Sequence, residues 1–233
     1  IKSAGSWIKD KVSSGWQWLV SKFGAGARGN DPDYYSQDDP RWANMYFGKY
    51  NGHNDTVAEG GCGPTVAAMA LQKLTGQKIT PNTMAQLAMS TGMKYDNGGT
   101  DPKFFNTAGS QFGINFDRSN GLSNSAIRTM ASGNPVVLMG KNQSGQSPYG
   151  KGTHYILGKG IDKLGNINVL DPQNPRNNKK WKLKDMIKNT AMSITPRGFG
   201  RGNEGSTTIP RGACVYFRIT SGQFSDYGHV GIY

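Results

Sequence analysis

Hydrophobic positions change period along the chain, and each change predicts an element. Between residues 1 and 23, Trp7, Ile8, Val12, Trp16, Leu19, Val20 and Phe23 recur at three- and four-residue steps with lysines between them. This is the pattern of a basic amphipathic helix. "GAGARGNDPD" follows as a flexible joint. "GPTVAAMALQKLTG" is helical and closes at Gly76. "TPNTMAQLAMSTG" is a second helix with Thr80 as N-cap, Pro81 at the first helical position and Gly92 as the stop. "DPKFFNTAGSQFG" and "SNSAIRTMASGN" predict two shorter helices.

The period then shortens. "PVVLMG", "HYILGKGID" and "NINVLDP" are β-rich runs, the last two joined by "KLGN" as a hairpin. "WKLKDMIKNT" predicts a short helix, "TPRGFGRGNEGSTTIPRG" a loop and "ACVYFRI" a further strand. Helices first and antiparallel strands afterwards make an α+β domain, with the N-terminal helical part packed on an antiparallel sheet. The expected organisation is an amphipathic helix and linker over 1–30, the globular domain over 31–195, and a Gly/Arg-rich linker with a second β-rich module over 196–233.

Composition narrows the class. Of 233 residues, 35% are hydrophobic and 33 are glycine, which suits a loop-rich α+β protein better than a helical bundle. No run of eighteen apolar residues is present, so no segment reads as spanning a membrane by itself. The first residues lack a methionine and a signal-peptide core, and the last stop inside an apparent strand, so a fragment or processed piece is expected. The net charge of +12 is unevenly spread: residues 174–218 hold ten Lys or Arg against Asp185 and Glu204. Such a surface attracts nucleic acid, anionic lipid or the anionic polymers of a bacterial wall. No aromatic-interleaved motif accompanies the charge, so specific nucleic-acid binding is not expected. Residues 1–23 can lie on a membrane, pack against a partner or pack against the protein's own surface, and the sequence leaves all three open.

The candidate chemistry centres on "AEGGCGPTVAAMA". Cys62 stands where a helix begins, among unpaired backbone N–H groups and the positive end of the dipole, which favours thiolate. The flanking Gly60, Gly61 and Gly63 are read as letting substrate backbone approach closely. A buried inert thiol, or one half of a bridge to Cys214, are the other readings of this cysteine. A nucleophilic thiol needs a base. His154 opens "HYILGKGID" beside the mobile-looking "GQSPYGKGT", whereas His53 in "KYNGHND" reads as an exposed bystander. Asp171 closes the hairpin arm that pairs with the arm His154 opens, so the two can meet. Asp162, at the turn end of that hairpin, is the second choice to orient the imidazole.

"YYSQDDPRWANMYFG", "EGGCGPTVAAMALQKLTG" and "GTHYILGKGIDKLGNINVLDP" together resemble the papain-like cysteine peptidases of the bacteriocin-leader-processing type, and more closely their stand-alone relatives in bacteria and phages. The resemblance covers roughly residues 33 to 175. It implies a papain-like fold with Cys62 as nucleophile, His154 as general base and acid, and Asp171 as orienter. Gln37 would supply a side-chain N–H to the oxyanion hole. No cofactor and no metal are implied. Gln37 lies 25 positions before Cys62, as in the stand-alone group; in the transporter-linked peptidases that spacing is only a few residues.

Two flanking resemblances bear on context. Residues 1–23 are similar to the Trp/Ile/Lys amphipathic repeats of phage tail tape-measure proteins. "IPRGACVYF" and "YGHVGIY" resemble part of CHAP or NlpC-type peptidoglycan amidases, in which His229 would be a base. The resulting expectation is a phage tail-associated peptidase in the virion, acting at the bacterial envelope on peptidoglycan peptides, with other tail proteins as partners. A protein-processing peptidase and a structural tail component with a vestigial site are the alternatives.

Overall fold

The computed structural model describes residues 31–199, save 97, 144 and 145. The readings that fall on residues 1–30, on Cys214 and on His229 lie outside these described residues.

The first element is a hairpin of β1 (Tyr46–Tyr50) and β2 (His53–Thr56). Its turn is Asn51-Gly52, and both residues have positive φ, 49° and 85°. Asn-Gly tolerates that left-handed backbone better than any other natural pair, which sets the two-residue hairpin. Next come α1 (Val57–Gly60), α2 (Cys62–Thr75), α3 (Pro81–Ser90) and α4 (Phe104–Ser110). Thr80 stands at the N-cap position of α3 with Pro81 behind it, its hydroxyl bonding the Asn82 side chain, and Gly76 ends α2 in the left-handed region at φ 69°.

The remaining elements build a six-stranded sheet: β3 (Phe116–Asn120), α5 (Asn124–Ala131), β4 (Val136–Gly140), β5 (His154–Ile161), β6 (Asn166–Leu170), β7 (Lys180–Lys182), α6 (Leu183–Asn189) and β8 (Thr190–Pro196). The strand order is β3-β8-β4-β5-β6-β7, and every pairing is antiparallel. The architecture is α+β, with helices before and within an antiparallel sheet.

Both faces of the sheet are covered. On one, Val66, Met69 and Leu71 of α2 pack with Phe105, Val137, Tyr155, Leu157 and Ile194. On the other, Met130 of α5 and Met186 of α6 pack on Val136, Leu138, Ile156 and Ile167. Burial on both sides explains why "PVVLMG" and "HYILG" are continuous apolar runs instead of alternating ones. Gly158 belongs to the same arrangement, since a Cβ there would stand 2.5 Å from Met130 Sδ. The helices that precede the sheet in sequence thus cover one face, and α5 and α6 cover the other.

The core domain does not end at β8. Arg197 donates its backbone N–H to Asn115 and pairs with Asp117, and the Phe199 carbonyl accepts from Ser132 and Asn134. The chain therefore stays hydrogen-bonded to the domain through Phe199.

Candidate active site

The site is assembled where α2 starts and β5 starts. Thr56 and Glu59 form a capping box at α1, and the N–H groups of Val57 and Ala58 are held by the Met45 and Ala43 carbonyls. This short helix delivers the chain to Cys62, the first residue of α2. Cys62 is partly exposed and carries a free thiol.

The glycines around Cys62 have an internal role. A Cβ at Gly60 would run into Asp55, one at Gly61 into the Val57 carbonyl, and one at Gly63 would stand 2.5 Å from Thr100 Oγ1. Close packing of the protein against itself, rather than approach of substrate, accounts for "GGCG". Asp55, beside Gly60, is itself fixed by a buried ion pair with Lys94 at 2.8 Å.

His154 opens β5 opposite Gly140 of β4, and Asp171 follows the last residue of β6. His154 Nε2 lies 2.8 Å from Asp171 Oδ1, so the two ends of the hairpin do meet. Asp171 is 1% exposed, and its carboxylate is saturated with donors. Oδ1 also accepts the N–H of Gln173 at 2.9 Å and of Asn174 at 3.1 Å, and Oδ2 accepts Asn177 Nδ2 at 2.7 Å. Donors on this scale favour the ionised acid: burial pushes the Asp171 carboxyl up, but His154, Asn177 and the Gln173 N–H outweigh it and hold it below its usual value. Asp162 instead caps its own turn, accepting from Leu164 and Asn166 and pairing with Lys180, away from His154. His53 is exposed at the start of β2.

With Nε2 committed to Asp171, Nδ1 is the imidazole nitrogen left for the thiol. Burial works against an imidazolium at His154. The bond to Asp171 and the interaction with Cys62 reverse that, and the pKa is pushed up to about 10. Burial likewise pushes the Cys62 thiol up. The hydrogen bond to His154, the imidazolium charge and the N–H groups of Tyr155 and Gly63 outweigh it, so the thiol lies below its ordinary value. The arrangement can hold a thiolate–imidazolium pair.

Gln37 is buried, at 1% exposure. Its N–H donates to the Pro172 carbonyl at 2.9 Å, and its Nε2 donates to the Ala58 carbonyl at 2.5 Å. One residue, through its backbone N–H on one side and its side-chain amide on the other, therefore ties the residue after Asp171 to the helix that leads into Cys62. The Ala58 carbonyl also fixes the orientation of the amide, because a Gln oxygen there could not donate. Tyr34 and Ser36 donate to the Asp171 and Pro172 carbonyls and anchor the same segment.

A cavity of about 240 Å³ opens beside the His154–Asp171 pair, walled by Ser147, Tyr149, Gln173, Asn174 and Asn177 among others. Among the described residues, no cluster of three His, Cys, Asp or Glu side chains could hold a metal ion, and no helix is long and apolar enough to cross a membrane.

A long helix that begins at a cysteine, laid on an antiparallel sheet that presents a histidine–aspartate pair, defines the class: a papain-like cysteine peptidase. Residues 31–193 match the profile of the Peptidase_C39 like family, and the chain belongs to that family. Two solved structures are similar to it. One is the peptidase domain of Streptococcus ComA, a bifunctional ABC transporter involved in a quorum-sensing pathway. It is 14% identical, with a TM-score of 0.43 over 58% of this chain and 90% of that one. The other is a C39-like peptidase from Bacillus anthracis, 14% identical, with a TM-score of 0.44 over 70% of this chain and 94% of that one. No curated protein matches the chain.

Proposed function

We propose that this chain is a phage tail-associated cysteine peptidase that hydrolyses peptide bonds of bacterial peptidoglycan, with Cys62, His154 and Asp171 as its triad. The observation that carries the chemistry is the line Asp171–His154–Cys62, in which a saturated buried carboxylate holds an imidazole against a thiol of lowered pKa. The Cys62 thiolate attacks the carbonyl carbon of the scissile bond. Gln37 Nε2, whose second hydrogen is not used by Ala58, and the Cys62 N–H receive the oxyanion. His154 gives its proton to the leaving amine, then takes one from the water that hydrolyses the thioester. Asp171 keeps Nε2 occupied throughout, so that Nδ1 faces the reaction.

The choice of substrate rests on charge and on the flanking resemblance. Lys141, Lys151, Arg176, Lys179, Lys182 and Lys184 are all exposed in the half of the domain that carries His154 and Asp171. A cationic surface of this kind favours an anionic polymer at low salt. In this reading residues 1–23 join the domain to the rest of a tail protein or contact a membrane, and the enzyme works from the virion at the cell envelope.

Purified peptidoglycan and a folded precursor polypeptide, each digested with the full chain and read by mass spectrometry, test the reading. Muropeptides with new amino termini are expected. Cleavage of the polypeptide alone would overturn the choice of substrate and leave the thiol chemistry standing.

A further inference from the structure

Among the described residues, Asp171 Oδ2 accepts from Asn177, and that donor does a second task. Asn177 ends a 3₁₀ turn, Pro175–Asn177, just beyond β6. Its Nδ2 donates one hydrogen to Asp171 Oδ2 at 2.7 Å and the other to the Pro148 carbonyl at 2.8 Å. Pro148 lies in the segment that leads into His154. The backbone of Asn177 is pinned in turn: its N–H donates to Asn174 O at 2.9 Å, and its carbonyl accepts Trp181 Nε1 at 2.9 Å. A single primary amide, on a backbone that a tryptophan holds, thus joins Asp171 to the segment that leads into His154.

We propose that Asn177 is a positioning residue, which fixes the rotation of the Asp171 carboxylate and the segment before His154 so that the imidazole stays aligned with Cys62. This rests on the triad reading above. Only a group with two N–H donors on one atom can make both bonds, which is what a primary amide offers and a hydroxyl or carboxylate does not. Without it, Oδ2 turns to solvent, the Oδ1–Nε2 bond loosens, and the imidazolium that supports the Cys62 thiolate is held less well. The cavity beside the pair, which Asn177 also walls, is where the freed carboxylate would meet water.

The test needs no substrate. The rate of Cys62 alkylation by iodoacetamide is followed against pH, with peptide mapping to separate it from Cys214, in the full chain and in Asn177→Leu and Asn177→Ala. The expected wild-type midpoint lies below the ordinary thiol value. In both variants it moves up by about one pH unit, the scale of a hydrogen bond to a charged group, while the thermal midpoint stays close to wild type. Leu keeps the bulk of the side chain and Ala removes it, so whichever variant folds gives the answer. A shifted wild-type midpoint with unmoved variants overturns the role of Asn177 alone. A wild-type thiol that titrates at its ordinary value overturns the triad reading itself.

Discussion

Asp171 holds His154 by Nε2, at 2.8 Å from Oδ1, and thereby decides which imidazole nitrogen is left for Cys62. The choice is enforced from the acid's side, because the Gln173 and Asn174 N–H groups and the Asn177 amide hold the carboxylate with bonds that do not involve the imidazole. Orientation of the His154 imidazole is therefore a property of the loop after β6.

Asp171→Asn keeps the shape of that residue and removes its charge. An amide at this position can present N–H to Nε2 and drive the ring toward the wrong tautomer, the fault that costs a serine-protease triad about 10⁴ in kcat. We expect a loss of about 10² or more in kcat, with KM little changed. Steady-state kinetics with a soluble substrate peptide measure it, and a variant within threefold of wild type would contradict the orienting role.

The pH dependence follows from two shifts of opposite sense. The reactive pair forms as Cys62 deprotonates, below its ordinary value of 9.0, and is lost as His154 deprotonates near 10. The profile of kcat/KM is expected to be a bell with its alkaline limb near 10. The same shifts affect folding. His154 has its pKa raised from 6.5, so its contribution to stability is complete below 6.5 and disappears as pH rises through about 10. Asp171 is depressed, so its contribution is present above its ordinary value and disappears as pH falls through the native one. Urea midpoints measured from pH 3 to 11 should decline at both ends, and a stability flat above pH 8 would contradict the His154 assignment.

Gln37→Ala removes the amide proposed as an oxyanion donor together with its bond to the Ala58 carbonyl, and keeps the backbone bond to Pro172. A loss of about 10²–10³ in kcat is expected, the usual cost of one such donor. Activity equal to wild type would show that the amide serves only to hold the two segments together.

Gly63→Ala tests the packing account of the "GGCG" run. The new Cβ would lie 2.5 Å from Thr100 Oγ1 and 2.6 Å from its Cβ, and overpacking of this kind costs about 1–3 kcal/mol. Thermal melting should reveal it. An unchanged melting point would return Gly63 to the role of leaving room for substrate.

Much of this was legible in the sequence, for identifiable reasons. Helices α2 and α3 carry strong local punctuation in Gly76, Thr80 and Pro81, and the runs at β4 and β5 are apolar because both their faces are buried. The pairing of His154 with Asp171 follows from the ends of one hairpin. Strand β8 was hidden because its inward positions include Thr190, Ser193 and Thr195. Thr190 bonds Tyr149 and Ser193 bonds Ser123, contacts that only the folded chain supplies. The β1–β2 hairpin was readable from Asn51-Gly52, the strongest short hairpin signal there is, but lies between strands with little apolar alternation. The glycines beside Cys62 looked like substrate positions because their neighbours Asp55, Val57 and Thr100 are set by tertiary packing. Asn177 could not be singled out among the asparagines of "DPQNPRNN", since only geometry distinguishes the one that reaches Asp171.

The central claim is that Cys62 is the nucleophile of a peptidase, and hydrolysis by the Cys62→Ala variant tests it most directly. With purified peptidoglycan, the wild-type chain should release fragments bearing new amino termini, and Cys62→Ala, folded and equally stable, should release none above background. The same fragments released by Cys62→Ala at a comparable rate would contradict the account.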